Sequence, residues 1–139
     1  AAAPAPAPAP ALAPAPVAVV ALPAASGRVA AVLAFASAQL GKPYRFGGAG
    51  PGSYDCSGLT MRAWGAAGVS LSHSAAAQQH EGTRVSLSQL QPGDLVFWGN
   101  PAYHVGIYVG GGRMIDAPHT GAFVNVRGFW GTPSGAVRP

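Results

Sequence analysis

The pentapeptide "LQPGD" at residues 90–94 separates two apolar periodicities, and this change of period limits the fold more than any other feature of the chain. Before it, apolar residues recur every three to four positions, as one face of a helix requires; after it they alternate or form short runs, as strands require. Upstream, "SGRVAAVLAFASAQLG" places Val29, Val32, Leu33, Ala36 and Leu40 on one helical face, with Ser26 as N-cap and Gly41 as stop. "CSGLTMRAWGAAG" predicts a helix from about Cys56 to Gly68, burying Leu59, Ala63, Trp64 and Ala67, and "HSAAAQQH" predicts a short helical piece. Downstream, "DLVFWG", "YHVGIYVG", "RMIDAP" and "AFVNVRGFW" predict short strands separated by Gly, Pro and Asn. Helices first and antiparallel strands later specify an α+β domain with helices packed on a sheet.

Proline confines that domain to the later part of the chain. Residues 1–24 alternate Ala and Pro, which sustains neither a helix nor a central strand and favours extended polyproline II, so this segment is expected to be a semi-rigid tether. Two roles are open to it: a spacer, or a strap folded back over the active-site groove. Residues 25–139 are then one domain of ordinary size. The apolar run "VAVVAL" at 17–22 is far short of the roughly 18–20 residues of a membrane span. With no initiating Met and no basic leader, the chain is expected to be a processed or excised piece.

Eight basic and four acidic residues give a net charge of +4, but the bases are spread singly, without the basic cluster and interleaved aromatics of a nucleic-acid face. A mild positive field still favours an acidic polymer. Nothing in the sequence asks for more than a monomer.

The chain contains a single cysteine, Cys56, in "SYDCSGLT" at the start of the second helix. The helix dipole and the free N–H groups of a first turn both favour thiolate over thiol. The alternatives are an inert buried thiol or a disulfide between chains. A histidine partner would share the thiol proton, and His73, His80, His104 and His119 are present. His104 is the best placed, opening the alternating strand "HVGIYVG" with Gly106 and Tyr108 on its own face and Val105, Ile107 and Val109 on the core face. A three-residue loop at Gly110–Gly112 would set Val109 opposite Arg113 and Gly106 opposite Asp116, bringing Asp116 diagonally beside His104 to hold the ring. A register one residue away would turn Asp116 to the other face. His119 and His73 are candidates for neighbouring positions in the groove. No C-x-x-C or H-x-x-x-H spacing points to a metal.

Three separated segments, "GKPYRFGGAGPGSYDCSGLT", "LQPGDLVFWG" and "HVGIYVGGGRMIDAP", together resemble the NlpC/p60 family of cell-wall cysteine endopeptidases, and within it the Rip-type peptidoglycan hydrolases of actinobacteria. The resemblance runs from about Val29 to Trp130. It implies a papain-like NlpC fold, no cofactor, a location in the cell wall or an equivalent exported space, and peptidoglycan stem peptides as substrate, cut between γ-D-glutamate and meso-diaminopimelate. Other wall hydrolases are the partners it implies.

By position in those motifs, Cys56 is implied as nucleophile, His104 as general base and Asp116 as the third polar residue, a place that family members fill with His, Glu, Gln or Asn. Tyr44 matches the tyrosine that helps stabilise the oxyanion, beside the N–H of Cys56; packing in its loop is the other role open to it. Asp55 and Ser57 stand where relatives recognise the free amino end of the stem peptide, and either is equally suited to cap the helix. Arg62, Arg84 and Arg127 are read first as solvated charges, and Trp64, Trp98 and Trp130 as core or rim packing. Two competing activities share this scaffold: a peptidoglycan-binding module with little turnover, and an amidase or acyltransferase.

Overall fold

The computed structural model describes residues 27–139, so the Ala/Pro segment and Ser26 lie outside the described residues. Helix α1 spans Gly27–Ala38, α2 Cys56–Gly65 and α3 Ala75–Gln78. The strands are β1 Thr83–Val85, β2 Leu95–Gly99, β3 Ala102–Gly110, β4 Arg113–Asp116, β5 Asn125–Gly128 and β6 Gly135–Arg138. They form one antiparallel sheet in the order β1-β6-β2-β3-β4-β5.

Alternation along the strands gives the sheet two different faces. Leu95, Phe97, Val105, Ile107, Ile115 and Val137 join Val32, Leu33 and Ala36 of α1 and Leu59, Ala63 and Trp64 of α2 in the main core. The next residues along, Val96, Trp98 and Met114, form a smaller cluster with Leu90, Tyr108 and Phe129 packed against it. The expected α+β architecture, helices on one face of an antiparallel sheet, is therefore present.

Three local expectations need correction. Helix α2 ends at Gly65 and continues only as a turn to Gly68, whose φ of +84° ends it as a left-handed glycine does. At the β3–β4 hairpin Gly110, not Val109, pairs with Arg113, and the register shifts between Tyr108 and Gly110. The three glycines Gly110–Gly112 all have positive φ, so the turn tightens and the odd residue is absorbed in the strand. Finally, β1 and β6 were not anticipated, and β6 lies inside the sheet, between β1 and β2.

Beyond that shift, Ile107 opposes Ile115 and Tyr108 opposes Met114. Continuing this register places Gly106 opposite Asp116, as expected. A Cβ on Gly106 would fall 3.3 Å from the Asp116 Cβ and closer still to the Met114 sulfur, so a side chain between His104 and Tyr108 on this face would have to displace the end of Met114.

Candidate active site

Cys56 is the first residue of α2, and Asp55, in extended conformation, caps the helix. Asp55 Oδ1 accepts from Gly58 N at 2.7 Å and from His73 Nε2 at 2.7 Å; Oδ2 accepts from Gly47 N at 2.8 Å. Asp55 thus takes the capping role left open in the sequence, and His73 bears on Cys56 through Asp55. Ser57 is buried in the first turn, where its carbonyl accepts from Thr60 Oγ1 at 3.0 Å and Gln78 Nε2 at 3.0 Å.

The Cys56 thiol lies beside the backbone of Val105, the residue after His104. Burial pushes the thiol up, and the Asp55 carboxylate pushes the same way, while the N–H groups of Val105, Ser57 and Cys56 pull it down without prevailing. The helix start does supply the donors expected of it, but they do not by themselves make a thiolate. Tyr44 is half-buried nearby; its hydroxyl is pushed up by burial first, then by the Cys56 and Asp55 charges.

His104 opposes Trp98 across β2–β3 and is buried. Its Nε2 lies 2.7 Å from Asp116 Oδ2. Because a carboxylate only accepts, Nε2 carries the proton and the Nδ1 lone pair is left for other work. Among the described residues no hydrogen bond joins the imidazole to Cys56. Asp116 has no exposed surface and is also gripped by Arg127, whose Nε reaches Oδ1 at 2.9 Å and Oδ2 at 3.1 Å and whose Nη2 reaches Oδ2 at 2.7 Å.

An open cleft of about 250 Å³ reaches this cluster from the histidine side, lined by Tyr103, His104, Pro118, His119, Arg127 and Trp130. His119 is exposed in it and donates from Nδ1 to the Thr120 carbonyl at 2.9 Å. The structure therefore gathers Cys56, Asp55, Ser57 and Tyr44 at the head of α2, sets His104 and Asp116 on β3 and β4, and leaves His73 and His119 at the periphery. Among the described residues no group of three His, Cys, Asp or Glu side chains is placed to hold a metal ion, and no helix is long and apolar enough to cross a membrane.

The profile of the NlpC/P60 family matches residues 41–133, which include every residue of this cluster. The chain belongs to the NlpC/P60 family. A probable endopeptidase p60 of Listeria grayi is 47% identical over 110 residues, covering 76% of this chain and 22% of the relative. A probable endopeptidase of Mycobacterium bovis is 47% identical over 102 residues, covering 73% and 26%. This NlpC/P60 chain thus spans about a quarter of the length of the curated relatives it matches. Among solved structures, the NlpC/p60 domain of the peptidoglycan hydrolase SagA superposes with a TM-score of 0.75 at 40% identity, covering 80% of this chain and 98% of that one. The peptidoglycan hydrolase RipB of Mycobacterium tuberculosis gives 0.74 at 29%, covering 80% and 64%.

The grip of Arg127 on Asp116 is the site feature that sequence reasoning missed, whereas Trp98 and Trp130 pack against each other at the core and its rim as expected. Arg127 opposes Met114 on β5, two residues from Asn125, the partner of Asp116, so the β4–β5 register held the signal.

Proposed function

We propose that this domain is a peptidoglycan endopeptidase that works through Cys56, His104 and Asp116. The observation that carries the reading is a cysteine at the first position of α2, its thiol beside the residue that follows a histidine whose Nε2 is committed to a buried carboxylate, on a fold whose neighbours SagA and RipB are peptidoglycan hydrolases. Solved forms of RipA are altered, one at a time, at a cysteine, a histidine and a glutamate, the residue types that Cys56, His104 and, one methylene shorter, Asp116 supply.

In this reading Cys56 Sγ attacks the scissile carbonyl carbon, and the thiol proton passes to His104 Nδ1. The oxyanion is met by the Cys56 N–H and the Tyr44 hydroxyl, and Asp116 stabilises the imidazolium through Nε2. The C–N bond breaks as His104 returns its proton to the leaving amine, which leaves a thioester on Cys56. Water, losing a proton to His104, attacks that thioester; the carboxylic acid departs and the thiol takes the proton back. The bond favoured is the one between γ-D-glutamate and meso-diaminopimelate, and the place of action is outside the cell, in the wall.

Mass spectrometry of defined muropeptides tests this. Cleavage after D-glutamate by the wild type and none by Cys56→Ala is expected; cleavage by both would remove Cys56 as nucleophile, and cleavage by neither, with both folded, would favour a wall-binding module.

A further inference from the structure

Asp116 is a carboxylate with no exposed surface, and such a group needs both a compensating charge and filled hydrogen-bond positions. His104 fills one position; Arg127 fills the rest. The guanidinium reaches both carboxylate oxygens with two of its nitrogens, a contact that a fork provides and an ammonium does not. Cross-strand placement explains the reach. Asn125 opposes Asp116, and Arg127, two residues along the same face of β5, comes in diagonally.

The guanidinium is itself held. It lies 4.7 Å from the centre of the Trp130 ring, and that indole stacks on Trp98 with centres 4.0 Å apart and planes 12° from parallel. Trp98 Nε1 donates to the Trp130 carbonyl at 2.9 Å, which locks the stack. The His104 ring sits against both indoles, 5.8 Å from Trp98 and 5.2 Å from Trp130. Arginine, carboxylate and imidazole are therefore three links of one chain, with the indole pair beside its first and last links.

We propose that Arg127 is a positioning residue, which acts through Asp116 to hold His104 with its proton on Nε2 and its lone pair on Nδ1. The role in turnover rests on the peptidase reading, but the effect on the imidazole does not. Without the fork, the Asp116 carboxylate can rotate about its last bond and its grip on Nε2 loosens, so both tautomers of His104 become populated.

Nitrogen NMR of the imidazole, on the full chain at neutral pH, reads this directly. The wild type is expected to show one tautomer, with the proton on Nε2. Arg127→Met is expected to show averaged ring-nitrogen shifts, and Arg127→Lys, which keeps charge but not the fork, shifts between the two. Should the Met variant not fold, the Lys variant decides by the same signal. Unchanged nitrogen shifts in a folded variant would overturn the proposal. On muropeptides, Arg127→Met is expected to lower kcat by about 10- to 100-fold with KM little changed, by analogy with the outer-shell partners that orient metal-bound histidines. In an Asp116→Asn background the same change should have no further effect on kcat; an undiminished effect there would show that Arg127 does not act through Asp116. A wild type that cleaves nothing, but whose tautomer responds to Arg127, would sink the peptidase reading and leave the positioning role standing.

Discussion

The Asp55 carboxylate and the Gly58 N–H, 2.7 Å apart, fix the first turn of the helix that presents Cys56. The same carboxylate takes the Gly47 N–H and the His73 ring, so it ties the loop before the helix and the segment after it to one point beside the thiol. Asparagine caps a helix about as well as aspartate but carries no charge. Asp55→Asn, whose one carbonyl oxygen can keep the Gly58 cap while its NH2 leaves the Gly47 N–H without an acceptor, should cost less than Asp55→Ala, which removes both acceptors and should cost about 1–2 kcal/mol. Urea unfolding of the two variants checks the difference; equal losses would mean that the cap is not what Asp55 contributes.

The thiol should titrate above the ordinary cysteine value of about 8.5, because burial and the Asp55 charge outweigh the three N–H groups near it. The rate of alkylation by iodoacetamide, followed against pH, should rise at a higher pH than that of a free thiol. Asp55→Asn removes one of the two upward pushes and should move the profile back down. The sign for stability follows: the folded chain holds this proton more tightly than the unfolded one. The thiol's contribution is thus complete below the ordinary value and lost as pH rises through the folded one. An alkylation profile centred below that of free cysteine would contradict both statements.

Gly58 sits in the first turn of α2, at its third residue, and alanine is ordinarily a better helix former than glycine. Here the sign should reverse. A Cβ at Gly58 would overlap the Gly48 carbonyl oxygen, which is backbone and is itself held by the Asp55 N–H at 2.9 Å. The clash cannot be relieved without moving the loop that faces the thiol, so Gly58→Ala is expected to destabilise by about 3 kcal/mol. Chemical denaturation reads the sign as well as the size, and a gain in stability would show that the loop yields.

How much of this was legible in the sequence depends on whether the information was local. The helix faces of α1 and α2 and the strands β2 to β4 carry their own periodicity, so Val32, Leu33, Leu59, Trp64, Val105 and Ile107 could be assigned to the core from spacing. Cys56 could be placed at the candidate site because it stands in a motif, and Asp116 beside His104 because the β3–β4 register is short-range. β6 was not, since "GAVR" is four residues with no alternation and becomes a strand only between β1 and β2. Arg127 was read as a solvated charge because nothing near it in sequence is acidic; its partner is 11 residues away and comes within reach only through the β4–β5 register. The thiol's displacement was missed for a related reason: dipole and N–H donors follow from position in a helix, but desolvation by the packed core does not.

Gln78 offers the sharpest test of how the head of α2 is held. It has no exposed surface, and it is the last residue of α3, a helix too short to stand alone. Its Oε1 accepts from Thr60 Oγ1 at 2.6 Å, and its Nε2 donates to the carbonyls of Ser57 at 3.0 Å and Ser72 at 2.7 Å. One amide thus joins the first turns of α2 to the segment that carries His73. Gln78→Met keeps the volume and removes all three bonds; the Ser72 carbonyl loses this donor, while the Thr60 hydroxyl and the Ser57 carbonyl keep only each other, at 3.0 Å. A loss of about 2–4 kcal/mol is expected, larger than for a typical single hydrogen bond because the three bonds of one buried amide are lost together. Thr60→Val removes only the hydroxyl and should cost less. If the amide acts as a unit, the double variant should lose less than the sum of the two single losses, and an additive result would mean that Thr60 and Gln78 stabilise the helix independently.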